Sequence, residues 1–143
     1  MNVLCIEDLK DKFEHIKDVL NKEKYNVVWK KNYQEGLMEL KNNSFDYLLL
    51  DMSMPICENE LSKENFDNFA GMSILREIKR KKYDIKVVVV TGFDDFEKGS
   101  NLITIKELEE EILQKYSQYY LGYIKYDSAS VEWQEKLKSF LKI

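Results

Sequence analysis

Short apolar runs alternate along this chain with longer segments in which apolar residues recur every three or four positions. The runs cover residues 1–6, 25–29, 47–50, 85–90 and 122–126. Those at 47–50 and 85–90 are too continuous for strands with one solvated face, and they are typical of strands buried on both faces. The pattern predicts five strands, of which the valine-rich one at 85–90 is the strongest.

The segments between these runs have the period of amphipathic helices. In the first of them, Phe13, Ile16 and Leu20 share one face. Predicted helices begin near residue 9, after Asn32, at residue 71, after residue 104 and after Ser128, where Asn32 and Ser128 can act as caps. Five strands alternating with five helices predict an α/β fold, a doubly wound five-stranded parallel sheet with helices on both faces.

Two stretches do not follow this alternation. Residues 56–69 show no clean period, and residues from about 94 to 106 begin as a polar, irregular stretch. Long loops in a compact domain are usually functional or mobile. We expect both stretches to be insertions into the fold.

Composition restricts the class of protein. With 143 residues and 44% apolar residues, the chain is expected to form a single domain over residues 1–143. The net charge of −4 disfavours a nucleic-acid partner. Cys5 and Cys57 do not form a disulfide framework or a metal-binding pair, and neither a signal peptide nor a membrane span is evident. We expect a cytoplasmic protein with no membrane partner.

Polar side chains end four of the predicted strands. Glu7 and Asp8 follow the first, Asp51 the third and Thr91 the fourth, while Lys125 lies near the end of the fifth. Because the carboxyl ends of parallel strands meet at one edge of a sheet, these residues should converge on one crevice. Three carboxylates so placed repel one another unless a hard cation joins them, which points to Mg²⁺ or Mn²⁺.

Five segments together resemble the receiver domain of two-component response regulators. They are residues 6–8, 50–55, 71–75, 90–92 and 124–125. Each segment alone is weak, but five in the right order and spacing make a specific signal. The resemblance implies a flavodoxin-like fold with strand order 2-1-3-4-5.

The resemblance also implies roles for the carboxylates. Asp51 would be the phospho-acceptor, forming an acyl phosphate. Asp8, Asp51 and the backbone carbonyl of Ser53 would bind the Mg²⁺ or Mn²⁺ ion directly, and Glu7 would act through a water molecule.

On the other side of the crevice, the resemblance implies that Thr91 and Lys125 contact the phosphoryl group. The sequence departs from the usual receiver pattern at two positions on this side. Tyr126 follows Lys125 where receivers usually have proline, and Gly122 lies at the usual place of the switch aromatic, so that Tyr123 is the possible replacement. Either the last strand is shifted by one residue or the aromatic switch is absent.

These residues also have simpler interpretations. Asp51 could start a loop or cap a helix, Glu7 could belong to a solvated first helical turn, and Lys125 could be a surface lysine. Only their combination favours a site.

The function expected is that of a stand-alone, non-enzymatic response regulator. A histidine kinase or histidine phosphotransfer protein would phosphorylate Asp51 in a Mg²⁺-dependent way, and a conformational change would signal to a partner protein, through a surface at residues 94–126. One alternative is a pseudo-receiver, a phosphorylation-independent protein-binding module. A phosphatase of the haloacid dehalogenase type is a weaker alternative, because Ser53 stands where a general acid would be required.

Overall fold

A computed structural model describes residues 1–58, 66–98 and 100–143. In chain order the elements are β1 (Asn2–Ile6), α1 (Lys10–Lys22), β2 (Asn26–Lys30), α2 (Tyr33–Asn42), β3 (Tyr47–Leu50), β4 (Met54–Pro55), β5 (Phe66–Asp67), α3 (Ala70–Lys81), β6 (Lys86–Thr91), β7 (Asp95–Lys98), β8 (Asn101–Thr104), α4 (Ile105–Tyr116), β9 (Tyr120–Lys125) and α5 (Glu132–Leu141). In these described ranges, no helix is both long enough and apolar enough to cross a membrane.

Five of the strands form one parallel sheet in the order β2-β1-β3-β6-β9. Counting only these five, the order is 2-1-3-4-5, and the predicted flavodoxin-like arrangement is confirmed. The central strands β1, β3 and β6 are almost wholly buried. Their continuous apolar runs follow from helices covering both faces.

Side chains that alternate along β6 define two cores. Val88 and Val90 pack on the face covered by α1 and α5. Val87 and Val89 pack on the face covered by α2, α3 and α4. Because successive side chains of a strand point to opposite faces, four consecutive valines supply both cores at once.

Two segments expected to lack regular structure contain short strands. In the predicted loop 56–69, β5 pairs antiparallel with β4, although residues 59–65 lie outside the described part of the chain. The stretch from residue 94, expected to be irregular, contains the antiparallel hairpin of β7 and β8. Phe96 anchors this hairpin because its side chain is buried near Phe69. Three scattered apolar residues in this stretch, Phe96, Leu102 and Ile103, were too weak a signal to predict strands.

Several predicted boundaries were also wrong. Helix α4 ends at Tyr116 rather than near residue 119, so that β9 begins at Tyr120, two residues before the predicted start. Helix α5 has Val131 as its N-cap residue rather than Ser128. The hydroxyl of Ser130 accepts a hydrogen bond from the Glu132 N–H instead.

Candidate functional site

Glu7, Asp8 and Asp51 meet at the carboxyl-terminal edge of the sheet. Glu7 and Asp8 follow β1 and Asp51 follows the neighbouring β3. One carboxylate oxygen from each residue lies within 4.8 Å of the others. Glu7 and Asp51 are buried and Asp8 is half-buried. The predicted convergence of these three residues is therefore present.

Hydrogen bonds position two of these residues, Asp51 and Glu7. The Asp51 N–H donates to the Ile6 carbonyl at 3.1 Å, which extends the sheet ladder by one residue. The Asp51 Oδ1 accepts from the Met52 N–H at 2.8 Å. The carbonyl of Glu7 accepts from the Trp29 indole N–H at 2.7 Å. Asp51 and Glu7 are therefore held by hydrogen bonds at the ends of β3 and β1.

A lysine that sequence analysis did not select, Lys12, enters this cluster from α1. Its Nζ lies 2.6 Å from Glu7 Oε2 and 3.5 Å from Asp51 Oδ2, and it donates to the Val90 carbonyl at 2.8 Å. Only 4% of the residue is exposed. The signal was present, because Lys12 precedes Ile16 by one helical turn and so lies on the apolar face of the helix.

Burial and mutual charge govern the protonation of the cluster. Burial raises the pKa of Glu7 to about 8, and the charge of Asp51 adds to this rise while Lys12 opposes it. Burial and the Asp51 charge also raise the pKa of Asp8. Burial alone would lower the pKa of Lys12, but the charges of Asp51 and Glu7 outweigh it and raise that pKa. Lys12 is therefore a cation held among acidic groups.

The loop after Asp51 is pressed against α3. Ser53, whose carbonyl is a predicted metal ligand, is buried, and its hydroxyl donates to the Asn68 carbonyl at 3.1 Å. The Gly71 N–H donates to the Met52 carbonyl at 3.0 Å. A Cβ atom on Gly71 would lie 2.8 Å from the Met52 sulfur and 2.9 Å from the Asp51 carbonyl oxygen. Only glycine allows the helix to approach the site this closely.

The other side of the crevice is arranged differently. Thr91 and Lys125 are register partners on β6 and β9. Thr91 is buried and its hydroxyl accepts from the Phe93 N–H at 3.1 Å. The Lys125 Nζ lies 2.9 Å from Asp94 Oδ1 and donates to the Gly92 carbonyl at 2.9 Å. The structure thus brings Lys125 to Thr91 but pairs its ammonium with Asp94 rather than with the three carboxylates.

A β-bulge determines the register of β9. Val87 is opposite Tyr120, whereas the next residue, Val88, is opposite Gly122. One extra residue on β9 therefore lies in the bulge and moves the rest of the strand by one position relative to β6. Tyr123 is half-buried against the core and has the Lys136 ammonium 4.7 Å from its ring centroid.

Tyr126 occupies the position where receivers usually have proline. The peptide bond before it is trans, and its N–H donates to the Thr91 carbonyl at 2.8 Å. Its ring centroid lies 5.8 Å from the Lys12 Nζ and its hydroxyl contacts His15. Tyr126 therefore covers the buried lysine.

The carboxylate cluster has the chemistry of a site for a hard divalent cation. All of its side-chain donors are oxygens, as Mg²⁺ and Mn²⁺ prefer. The cluster is negative in either protonation state of Glu7, with a net charge of −2 when all three carboxylates are ionised and −1 when Glu7 holds a proton, so a divalent cation is attracted even with Lys12 in place. The donor set fits such an ion, although Lys12 shares two of the carboxylates with it.

A family model of the response regulator receiver domain matches residues 3–116. The match includes the three carboxylates and Thr91 but ends before β9 and Lys125. The fold similarity extends further. The crystal structure of the response regulator TrrA from Thermotoga maritima, in complex with Mg²⁺ and BeF, superposes with a TM-score of 0.63 and 21% identity, covering 97% of each chain.

Two curated proteins are similar in sequence. An uncharacterized protein, y4jR, from Sinorhizobium fredii is 26% identical over 107 residues, which cover 73% of this chain and 71% of that protein. The Detocs response regulatory protein DtcB from Enterobacter cloacae is 31% identical over 99 residues, which cover 65% of this chain and 64% of that protein.

Proposed function

Since the chain belongs to the response regulator receiver domain family, we propose that it is a phosphorylation-controlled signalling domain with Asp51 as the phospho-acceptor. One observation carries this proposal. Asp51 is buried at the end of a central strand, with oxygens of Glu7 and Asp8 within 4.8 Å of one of its own. A carboxylate in that setting is fixed for in-line attack on a phosphoryl donor.

Asp8, Asp51 and the backbone carbonyl of Ser53 hold a Mg²⁺ or Mn²⁺ ion in this proposal, with Glu7 acting through water. When bound, such an ion neutralises negative charge on the transferring phosphoryl oxygens. The oxygen-only donor set and its net negative charge support this assignment.

The phosphoryl group comes from a histidine kinase or a histidine phosphotransfer protein. An oxygen of Asp51 attacks the phosphorus, the phosphorus–nitrogen bond of the donor breaks, and an acyl phosphate remains on Asp51. Because the Thr91 hydroxyl accepts from the Phe93 N–H, its own proton is available to a phosphoryl oxygen. Lys125 must leave Asp94 to contact the same group.

Movement of Lys125 provides a route to a partner protein. Asp94 immediately precedes the β7–β8 hairpin, and its carbonyl accepts the Ile105 N–H at the start of α4. Loss of the Lys125–Asp94 pair would therefore reach the surface formed by residues 94–126, where we place the output. Two unpaired cysteines, Cys5 and Cys57, are compatible with action in the cytoplasm.

A pseudo-receiver is the second candidate, and two contacts favour it. Lys125 is paired outside the carboxylate cluster and Lys12 neutralises part of it, so that the chain could bind a partner without being phosphorylated. A phosphatase of the haloacid dehalogenase type is less well supported, because the Ser53 hydroxyl donates to the Asn68 carbonyl and cannot replace a carboxylic general acid.

Trp29 is a natural reporter for the test, since its indole donates to the carbonyl of Glu7. We expect MgCl₂ followed by beryllofluoride, a phosphoryl mimic, to change its fluorescence saturably. The change should be lost in Asp51→Asn and retained in Asp18→Asn, which alters an exposed carboxylate on α1. If calorimetry also detects no beryllofluoride binding to the wild type, phospho-acceptance is rejected and the pseudo-receiver remains.

A further inference from the structure

We propose that Lys12 is a built-in counter-ion of the carboxylate cluster, which competes with the divalent cation for Glu7 and Asp51 and thereby weakens divalent binding. The inference rests on the proposed function, because it concerns the same carboxylates. It assigns a specific role to a residue of α1 that the strand-end pattern does not include.

The contacts of Lys12 are those of a bound cation. The ammonium donates to the Val90 carbonyl at 2.8 Å and forms ion pairs with Glu7 Oε2 at 2.6 Å and Asp51 Oδ2 at 3.5 Å. The side chain is 4% exposed. Lysine is almost never buried to this extent unless it is paired.

Packing holds Lys12 in this position. The adjacent Phe13 stacks on Trp29, with ring centroids 4.4 Å apart and planes at 7°. The indole of Trp29 in turn donates to the carbonyl of Glu7. One aromatic stack therefore fixes both the helix that carries the ammonium and the strand end that carries its main acceptor.

Both carboxylates that Lys12 contacts have their remaining oxygen in use. Glu7 Oε1 accepts from the Leu9 N–H at 3.1 Å, and Asp51 Oδ1 accepts from the Met52 N–H. Because each oxygen keeps a second lone pair, a divalent cation can still bind these two side chains, but it then lies close to the ammonium that they share. A single positive charge a few ångströms from a divalent ion opposes its binding.

Removing the ammonium while keeping an unbranched side chain that is only one atom shorter tests the inference. We expect Lys12→Met to bind Mn²⁺ at least about tenfold more tightly than the wild type, measured as the loss of the free Mn²⁺ signal in electron paramagnetic resonance. Lys17→Met is the matched control, because it removes the same charge from an exposed position of α1. Its affinity should stay within about twofold of the wild type. Equal or weaker Mn²⁺ binding by Lys12→Met overturns the inference.

A second measurement needs no variant and covers the case in which Lys12→Met does not fold. We expect MgCl₂ to shift the ¹⁵N resonance of the Lys12 ammonium in the wild type, assigned through its own side chain. A resonance that does not move while the metal binds contradicts the competition. Neither result depends on the phosphoryl group, whereas phospho-acceptance is rejected by the absence of beryllofluoride binding to the wild type.

Discussion

Lys12 and Lys125 lie at the same end of the sheet in opposite settings. Lys12 reaches the central strands from α1, and its side chain is 4% exposed. Lys125 lies on β9, at the edge of the sheet, where its side chain is 40% exposed and its partner Asp94 is 77% exposed. The side of the crevice next to β1 and β3 contains the buried ion pairs of Lys12 with Glu7 and Asp51, whereas the side next to β9 is a solvated ion pair.

The difference indicates which side can move. Opening the Lys12 network would leave charged groups unpaired in the protein interior, which is costly. Opening the Lys125–Asp94 pair exposes two groups that water already reaches, and exposed pairs contribute at most about 1 kcal/mol. A conformational change linked to the site should therefore begin at β9 and the hairpin.

The largest expected effect is a difference in stability between a variant of Lys12 and a variant of Lys125. In metal-free buffer, Lys12→Met should lower the free energy of unfolding by about 3–5 kcal/mol, because Glu7 and Asp51 lose their counter-ion. Lys125→Met should lower it by less than about 1 kcal/mol. Urea unfolding followed by circular dichroism measures both values. Similar losses in the two variants would contradict the distinction between a buried network and a solvated pair.

A pair of glycines gives the next largest effect. Gly71→Ala should cost about 1–3 kcal/mol of stability and weaken beryllofluoride binding, because the new Cβ would collide with the Asp51 carbonyl and the Met52 side chain. Gly92→Ala is the control on the other side of the crevice, where the nearest atom would be 3.8 Å away. Urea unfolding and the Trp29 fluorescence titration measure the two effects. A Gly92→Ala protein as impaired as Gly71→Ala would show that both sides are equally tightly packed.

The smallest effect concerns the position of Lys125. Asp94→Asn removes the charge that holds its ammonium away from the carboxylates, so beryllofluoride affinity should rise by about two- to fivefold, the range of an exposed ion pair. Stability should change by less than about 0.5 kcal/mol. Asp95→Asn, which alters the adjacent exposed carboxylate, should change neither. Unchanged affinity in Asp94→Asn, measured by calorimetry, would mean that Lys125 does not contact the phosphoryl mimic.

The sheet could be predicted because its signal is local. Continuous apolar runs such as residues 87–90 require burial on both faces, and their alternation with amphipathic helices restricts the topology to very few choices. The meeting of Glu7, Asp8 and Asp51 followed from strand order alone, since parallel neighbours end at the same edge. The hairpin at residues 95–104 depends on Phe96 reaching a core built by distant residues, which no local pattern contains.

The sequence by itself therefore determined the alternating strands and helices and the carboxylates at the strand ends, because periodicity and strand ends are properties of contiguous residues, while the resemblance of five segments to receiver domains supplied the family and the strand order. Only the tertiary structure decided which lysine lies among those carboxylates. Lys12 and Val90, whose carbonyl it contacts, are 78 positions apart, and their contact depends on how α1 packs across the sheet. The pairing of Lys125 with Asp94 likewise depends on a one-residue bulge in β9 and on the path of the hairpin. Side-chain partners across elements are set by packing geometry, which residue spacing does not encode.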